Sequence, residues 1–294
     1  MASIGQSPFT LDQDVTNTNK TSSYREVMDF YCTTKDNIVF VKEEASSSYW
    51  DNLWNEEANW IERYTKGISL RGSFVKLFQR YLPKGASVLE AGCGRGQFVY
   101  ALSHNGYDVL GVDYAEKTVA ILNKKLPELK VTLGDVTDLR DIADASYDAY
   151  YSGGVIEHFW DGYDSIVSEA HRVLKQGGHL FITFPFMSAA RKRIKTSLPQ
   201  WTESRAPQGF YQYALDPDKV IKAISSKGFQ LIHRKSRNGA KGFTDSYPTF
   251  PVISSIQKWN NKSLFSRIIK RSTSKLLAII GFGHTIELVF VKQK

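Results

Sequence analysis

Residues 87–96 read Ser87-Val88-Leu89-Glu90-Ala91-Gly92-Cys93-Gly94-Arg95-Gly96. Ser87–Ala91 has the run of a buried strand, and it feeds a turn with three glycines. Gln97 to His104 then reads as a helix closed by Asn105-Gly106. Glycines let a backbone approach a ligand closely, and a helix N-terminus offers unpaired N–H groups. Outward from this unit the alternation continues. Asp108–Asp113 reads as a strand, and Glu116–Leu126 as a helix stopped by Pro127. Lys130–Leu133 and Tyr147–Ser152 read as strands. Tyr163–Leu174 reads as a helix closed by Gly177-Gly178, and His179–Phe184 as a strand ending at Pro185. Strands alternating with helices of about ten residues specify an α/β fold with a doubly wound sheet. Asp216–Lys227 adds a helix with Asp216-Pro217 at its start. Gly228–Ile232 begins another strand, and His284–Val291 is the last.

Composition excludes several classes. The chain has 294 residues, only 21 Gly and 9 Pro, and just Cys32 and Cys93 as cysteines. That rules out collagen-like and disulfide-framework proteins and suits a reducing, cytoplasmic compartment. The N-terminus lacks a secretory pattern, and no apolar run approaches a membrane span. The net charge of +8 is uneven: residues 1–185 hold 18 Lys+Arg against 25 Asp+Glu, and residues 186–294 hold 20 against 5. The basic third points to an anionic partner or to a solvated basic face.

The glycine turn is compatible with two cofactors. Nicotinamide dinucleotides favour G-x-G-x-x-G with pyrophosphate at the helix N-terminus. Here the spacing is G-x-G-x-G, preceded by Glu90. A carboxylate beneath the turn repels pyrophosphate and suits a cation, hence a nucleoside carrying a sulfonium and an amino acid. Asp113, 21 residues after Gly92 at the end of the next strand, can accept from both ribose hydroxyls.

With these residues the sequence resembles the class I S-adenosylmethionine-dependent methyltransferases. Glu90-Ala91-Gly92-Cys93-Gly94-Arg95-Gly96 looks like the family's first motif. Asp113-Tyr114 looks like its ribose-binding acid and adenine-flanking residue, and Gly134-Asp135-Val136 its adenine-amino contact. Ser152-Gly153-Gly154-Val155-Ile156-Glu157-His158-Phe159 resembles the segment after strand four in the ubiquinone-biosynthesis-like branch. The resemblance covers residues 70–185 best. It implies a Rossmann-like seven-stranded sheet, with the last two strands paired in reverse order. It also implies S-adenosyl-L-methionine as cofactor and S-adenosyl-L-homocysteine as product. Cofactor-binding residues would be Glu90, Gly92, Gly94, Gly96, Asp113, Tyr114, Asp135, Val136 and Gly153. Some members of that branch bind a metal through an acidic residue where this chain has Gly154, so no metal is expected.

Methyl transfer from an activated sulfonium asks for alignment and exclusion of water. His158 lies on the carboxyl edge of the sheet and is the candidate base or orienter; Glu157 beside it is the second catalytic candidate, with a helix cap or salt-bridge partner as the alternative. Arg191-Lys192-Arg193-Ile194-Lys195 reads as a solvated charge run or a phosphate contact, and Tyr211 and Tyr213 as acceptor-pocket or core residues. The expected layout is a mobile leader at 1–23, an N-terminal helical cap at 24–69 and a methyltransferase domain at 70–294. Insertions are expected at about 186–213 and, between the last two strands, at 233–282. The cap would use Trp50, Trp54 and Ile61 on one helical face. Residues 261–280 form a basic amphipathic stretch, read as a packed lid or a membrane-surface helix. The reaction expected is O-methylation of a small molecule, a glycan or a lipid-linked or isoprenoid-type metabolite that is anionic or lipid-linked in character, with N-methylation, RNA methylation and a non-catalytic cofactor-binding scaffold as alternatives. Nucleic acid is not the expected partner, because no separate RNA-binding module is visible.

Overall fold

The computed structural model describes residues 29–55, 60–67, 72–247 and 264–293. The expected leader at 1–23 lies outside them. The central element is a seven-stranded sheet, ordered β10-β11-β7-β6-β3-β4-β5. In chain order its strands are β3 (Ser87–Ala91), β4 (Asp108–Asp113), β5 (Lys130–Leu133), β6 (Tyr147–Gly153), β7 (Leu174–Pro185), β10 (Phe229–Arg237) and β11 (Thr285–Lys292). β3 through β7 pair in parallel; β11 runs antiparallel to both β7 and β10. This is the expected doubly wound, Rossmann-like sheet with a reversed last pair. The chain moves outward from β3 to β5 and returns at β6, so the topological switch lies between β3 and β6. Ligands bind at that point in open α/β sheets.

Helices α3 (Ser73–Tyr81), α4 (Gln97–Ser103), α5 (Glu116–Lys125) and α6 (Asp164–Val173) connect and flank these strands. Burial drives their placement: Phe78 on α3 stacks on Phe181 of β7 with ring centroids 4.1 Å apart. Burying each such aromatic is worth about 2–3 kcal/mol.

Three boundaries differ from the sequence reading. The N-terminal cap is not wholly helical. It opens with a hairpin, β1 (Asp29–Cys32) and β2 (Asn37–Val41), before α1 (Ser47–Asn55) and α2 (Trp60–Gly67). With β8 (Gln200–Trp201) and β9 (Phe210–Ala214) the hairpin makes a second sheet, ordered β8-β1-β2-β9. Cys32 and Val39 are buried and supply the apolar positions that fix this hairpin against the main core. The Gly177-Gly178 turn expected to close the Tyr163–Leu174 helix lies within β7. Tyr147 pairs with Leu174 and Ala149 with His179, so the intervening residues bulge from the ladder, with Gly177 at positive φ. Finally, β10 runs on to Arg237, so the insertion expected from 233 starts at Asn238. Buried Glu287 on β11 explains the extension, because it accepts from Arg237 at 2.8 and 2.9 Å and faces His233 at 3.1 Å. The insertion holds the helices Gly239–Ser246 and Leu264–Leu277.

Candidate active site

A cavity of about 480 Å³ opens at the carboxyl ends of β3, β4 and β6. That falls within the usual range for small-ligand sites. Its cofactor side is walled by Gly92, Gly94, Asp113, Tyr114, Asp135, Val136 and Gly153. The other side is formed by Trp50 and Trp54 of α1, Glu157 and His158 of the short 3₁₀ turn Ile156–His158, and Tyr211 of β9. Seven of the nine expected cofactor residues therefore line one space; Glu90 and Gly96 do not.

Those two act from beneath it. Glu90 is fully buried under the turn. Its carboxylate accepts from the Val99 N–H in the first turn of α4, and its Oε2 has no partner among the described residues. Desolvation, then the neighbouring Asp113 carboxylate, raise the Glu90 pKa well above the usual range. Gly96 is the αL cap of α4, and a Cβ there would press on Leu122 at 3.3 Å. Its role is packing rather than ligand contact. Gly92 also has positive φ, and its missing side chain makes room for Val155.

Asp113 is buried, and its two oxygens accept from Gly94 N at 2.7 Å and Ala115 N at 2.9 Å. Each carboxylate oxygen has a second lone pair for a diol. Asp135 is exposed at the cavity wall, and its Oδ1 accepts from Thr137 N and Oγ1, both at 2.8 Å. These residues fit a nucleoside with an attached cation: a glycine cradle over buried Glu90, one of whose oxygens has no partner among the described residues, and Asp113 at the end of the next strand. Among the described residues there is no group of three or more His, Cys, Asp or Glu placed to hold a metal ion.

On the other side, His158 Nδ1 lies 2.6 Å from the carbonyl oxygen of Tyr211. A carbonyl only accepts, so Nδ1 carries the hydrogen and Nε2 presents a lone pair. Trp50 and Tyr211 each meet the imidazole edge-on at 5.0 Å. Burial pulls the His158 pKa down to about 4, against the opposing pull of the Tyr211 carbonyl. Burial likewise pushes Glu157 up to about 8, with its Oε2 unpartnered. Both groups are therefore neutral at pH 7. Regular alternation would put Tyr211 and Tyr213 on one face, but the β2–β9 ladder shifts register at Tyr211, where Phe40 pairs with Gln212 and Val41 with Phe210, and this turns the two tyrosines apart. Tyr211 faces the cavity, whereas Tyr213 is buried against Trp160 in the core.

Two residues that position α1 carried no readable sequence pattern. Asp51 on α1 accepts from Lys117 N (3.2 Å), Thr118 N (2.9 Å) and Thr118 Oγ1 (2.9 Å), so it caps α5 from another element. Arg95, inside the glycine turn, donates to the carbonyls of Trp54 and Leu53 at 2.9 and 3.3 Å. Together they hold α1 over the cavity. The helical spacing of Trp50 and Trp54 was legible; the clamp was not.

The basic run after β7 is occupied within the chain. Buried Arg191 donates to the carbonyls of Phe186 and His284 and meets Asp245 at 3.4 Å. Lys192 pairs with Asp216 at 2.9 Å and Lys195 with Asp36 at 2.9 Å. A phosphate contact is not what these three side chains make.

Comparison with known proteins agrees with this geometry. Residues 89–182 match a family model described as a methyltransferase domain. The chain is 39% identical, over half its length, to a Mycolicibacterium smegmatis protein named "Probable S-adenosylmethionine-dependent methyltransferase", of which it covers 53%. It is 24% identical to a ubiquinone biosynthesis O-methyltransferase of Paracidovorax citrulli, over 52% of this chain and 66% of that protein. The chain thus spans about half the length of the first relative. The fold also matches the crystal structure of the [4+2]-cyclase SpnF, with a TM-score of 0.54 and 15% identity over 85% of this chain and 98% of that one. That likeness concerns the fold alone, which hosts unlike chemistries. What the fold leaves open, the glycine turn and the relatives' sequences narrow: residues 89–182 match a methyltransferase domain, and the chain is similar to S-adenosylmethionine-dependent methyltransferases.

Proposed function

We propose that this protein transfers the methyl group of S-adenosylmethionine to a hydroxyl oxygen of a small molecule. The carrying observation is one cavity that joins the cofactor-side residues to a neutral His158 with an available Nε2 lone pair. Bound S-adenosylmethionine supplies an already activated methyl group on sulfur, so the chain's task is alignment. Gly92 and Gly94 would cradle the cationic end above buried Glu90, Asp113 would meet the ribose and Asp135 the adenine amino group, with Tyr114, Val136 and Gly153 packing around them. Nε2 of His158 would accept the acceptor's hydroxyl proton and turn its oxygen lone pair toward the methyl. Its low basicity keeps it unprotonated across the physiological range. Neutral Glu157 can donate a hydrogen bond to the acceptor. Trp50, Trp54 and Tyr211 exclude water and offer flat apolar walls.

The acceptor we favour is lipid-linked or anionic, supported by the basic C-terminal third and the apolar walls of the cavity. Two buried, unpaired cysteines fit a reducing, cytoplasmic setting. An amine nucleophile could use the same Nε2. RNA is disfavoured by the pairing of Arg191, Lys192 and Lys195 within the chain. A scaffold without catalysis is disfavoured by the intact cradle and the orphaned Glu90 oxygen. The test is incubation with methyl-tritiated S-adenosylmethionine and cell extract split into lipid, aqueous small-molecule and RNA fractions. Label is expected in the lipid or small-molecule fraction and lost with His158→Ala. Label confined to RNA, or absent throughout, would contradict the proposal.

A further inference from the structure

The helix Leu264–Leu277 and the turn Ala278–Phe282 that follows it have two unlike faces. The inner face is committed to the fold. Leu277 and Ala278 are buried, and two glycines of the helix Gly239–Ser246 permit backbone contact: a Cβ on Gly239 would collide with Ala278, and one on Gly242 with Phe282. The outer face runs through Ile268, Ser272, Leu276 and Ile280 at four-residue spacing, with Ile279 beside them. Ile268 is 53% exposed, Leu276 58%, Ile279 72% and Ile280 54%. Exposed Arg271 and Lys275 flank this stripe, and the helix contains no acidic residue. Four exposed aliphatics on one helical face are not ordinary surface scatter.

The sheet register locates this face. Arg237 at the end of β10 pairs with Thr285, and Thr285 pairs with Pro185 at the end of β7. The insertion therefore leaves and rejoins the sheet at its carboxyl edge, the edge on which the active-site cavity opens. We infer that this helix face is a docking surface for an anionic lipid bilayer, which brings the cavity edge of the enzyme to the membrane. The inference deepens the lipid-linked acceptor reading and rests on it for its biological use. Aliphatics would enter the headgroup boundary while Arg271 and Lys275 meet lipid phosphates. A nucleic-acid surface would need aromatic platforms, and the exposed residues here are aliphatic. No helix among the described residues is long and apolar enough to cross a membrane, so the contact proposed is peripheral.

The test is co-sedimentation of the full chain with phosphatidylcholine vesicles, with and without phosphatidylserine. Binding is expected only with phosphatidylserine. Arg271→Gln with Lys275→Gln should weaken it about thirtyfold, and Leu276→Asp with Ile279→Asp should weaken it about tenfold or more. These four positions are exposed, so S-adenosylhomocysteine binding measured on the same samples should be unchanged. That titration reports on the cofactor reading separately. Absence of sedimentation would overturn the inference. So would an aliphatic double variant that binds like the parent, since charge alone would then explain the contact. Tighter binding to a short RNA through the same two cations would overturn it as well.

Discussion

At the scale of single residues, the site depends on groups kept neutral by burial. His158 takes a proton near pH 6.5 when unfolded and only near pH 4 when folded. The unfolded chain therefore binds more protons between those values. The stability contribution is whole above pH 6.5 and is lost as pH falls toward 4, by about 3 kcal/mol at most. Nitrogen-detected NMR of the imidazole should show the Nδ1–H tautomer at pH 7 and no titration above pH 5; a midpoint near 6.5 would contradict the Tyr211 contact as drawn. Glu157 runs in the opposite direction. Its folded pKa of about 8 exceeds the unfolded 4.5, so the folded chain holds the extra proton and stability declines as pH rises through that window. Glu157→Gln should raise Tm more at pH 8 than at pH 5, a differential on the order of 4 kcal/mol. A pH-independent change in Tm would refute the burial argument. Gly92→Ala should abolish S-adenosylhomocysteine binding in calorimetry, because positive φ and Val155 leave no place for a methyl group.

At the scale of elements, α1 is the cover of the site. It is held by Asp51 at the N-terminus of α5 and by Arg95 from the glycine turn, so the residues that shape the cofactor cradle also latch its lid. Removing a capping carboxylate costs about 1–2 kcal/mol. Asp51→Ala is therefore expected to speed S-adenosylhomocysteine release about tenfold in stopped-flow fluorescence of Trp50 and Trp54, and to lower Tm by a few degrees. An unaltered off-rate would mean that α1 does not gate the cavity. The elements differ in how legible they were. The β3–α4–β4 unit was readable because its apolar runs and glycines are local in sequence. The β1–β2 hairpin was missed because half of its sheet partners, β8 and β9, come from residues 200–214. Its strand character depends on a neighbour some 170 residues away. The extent of β10 was missed for a similar reason, since Glu287 fixes it from β11.

At the scale of the whole molecule, one sheet edge gathers the cofactor cradle, the aromatic lid, the β1-β2-β8-β9 sheet and the basic insertion. Asp113, Asp135 and His158 were readable as candidates because each follows a strand on that edge. Their joint use of one cavity, and the carbonyl that sets the His158 tautomer, depend on the path of β9, and no short-range pattern encodes it. The charge asymmetry was legible, but its meaning was divided: Arg191, Lys192 and Lys195 serve the fold, whereas Arg271 and Lys275 stand beside an exposed aliphatic stripe.

The most direct test of the central claim is calorimetric titration of the full chain with S-adenosylhomocysteine, with Asp113→Ala in parallel and NADH as the competing ligand. Micromolar binding of S-adenosylhomocysteine, weakened about a hundredfold in the variant and accompanied by no NADH binding, is the expected result. A folded protein that binds NADH, or that binds S-adenosylhomocysteine equally well without Asp113, would contradict it.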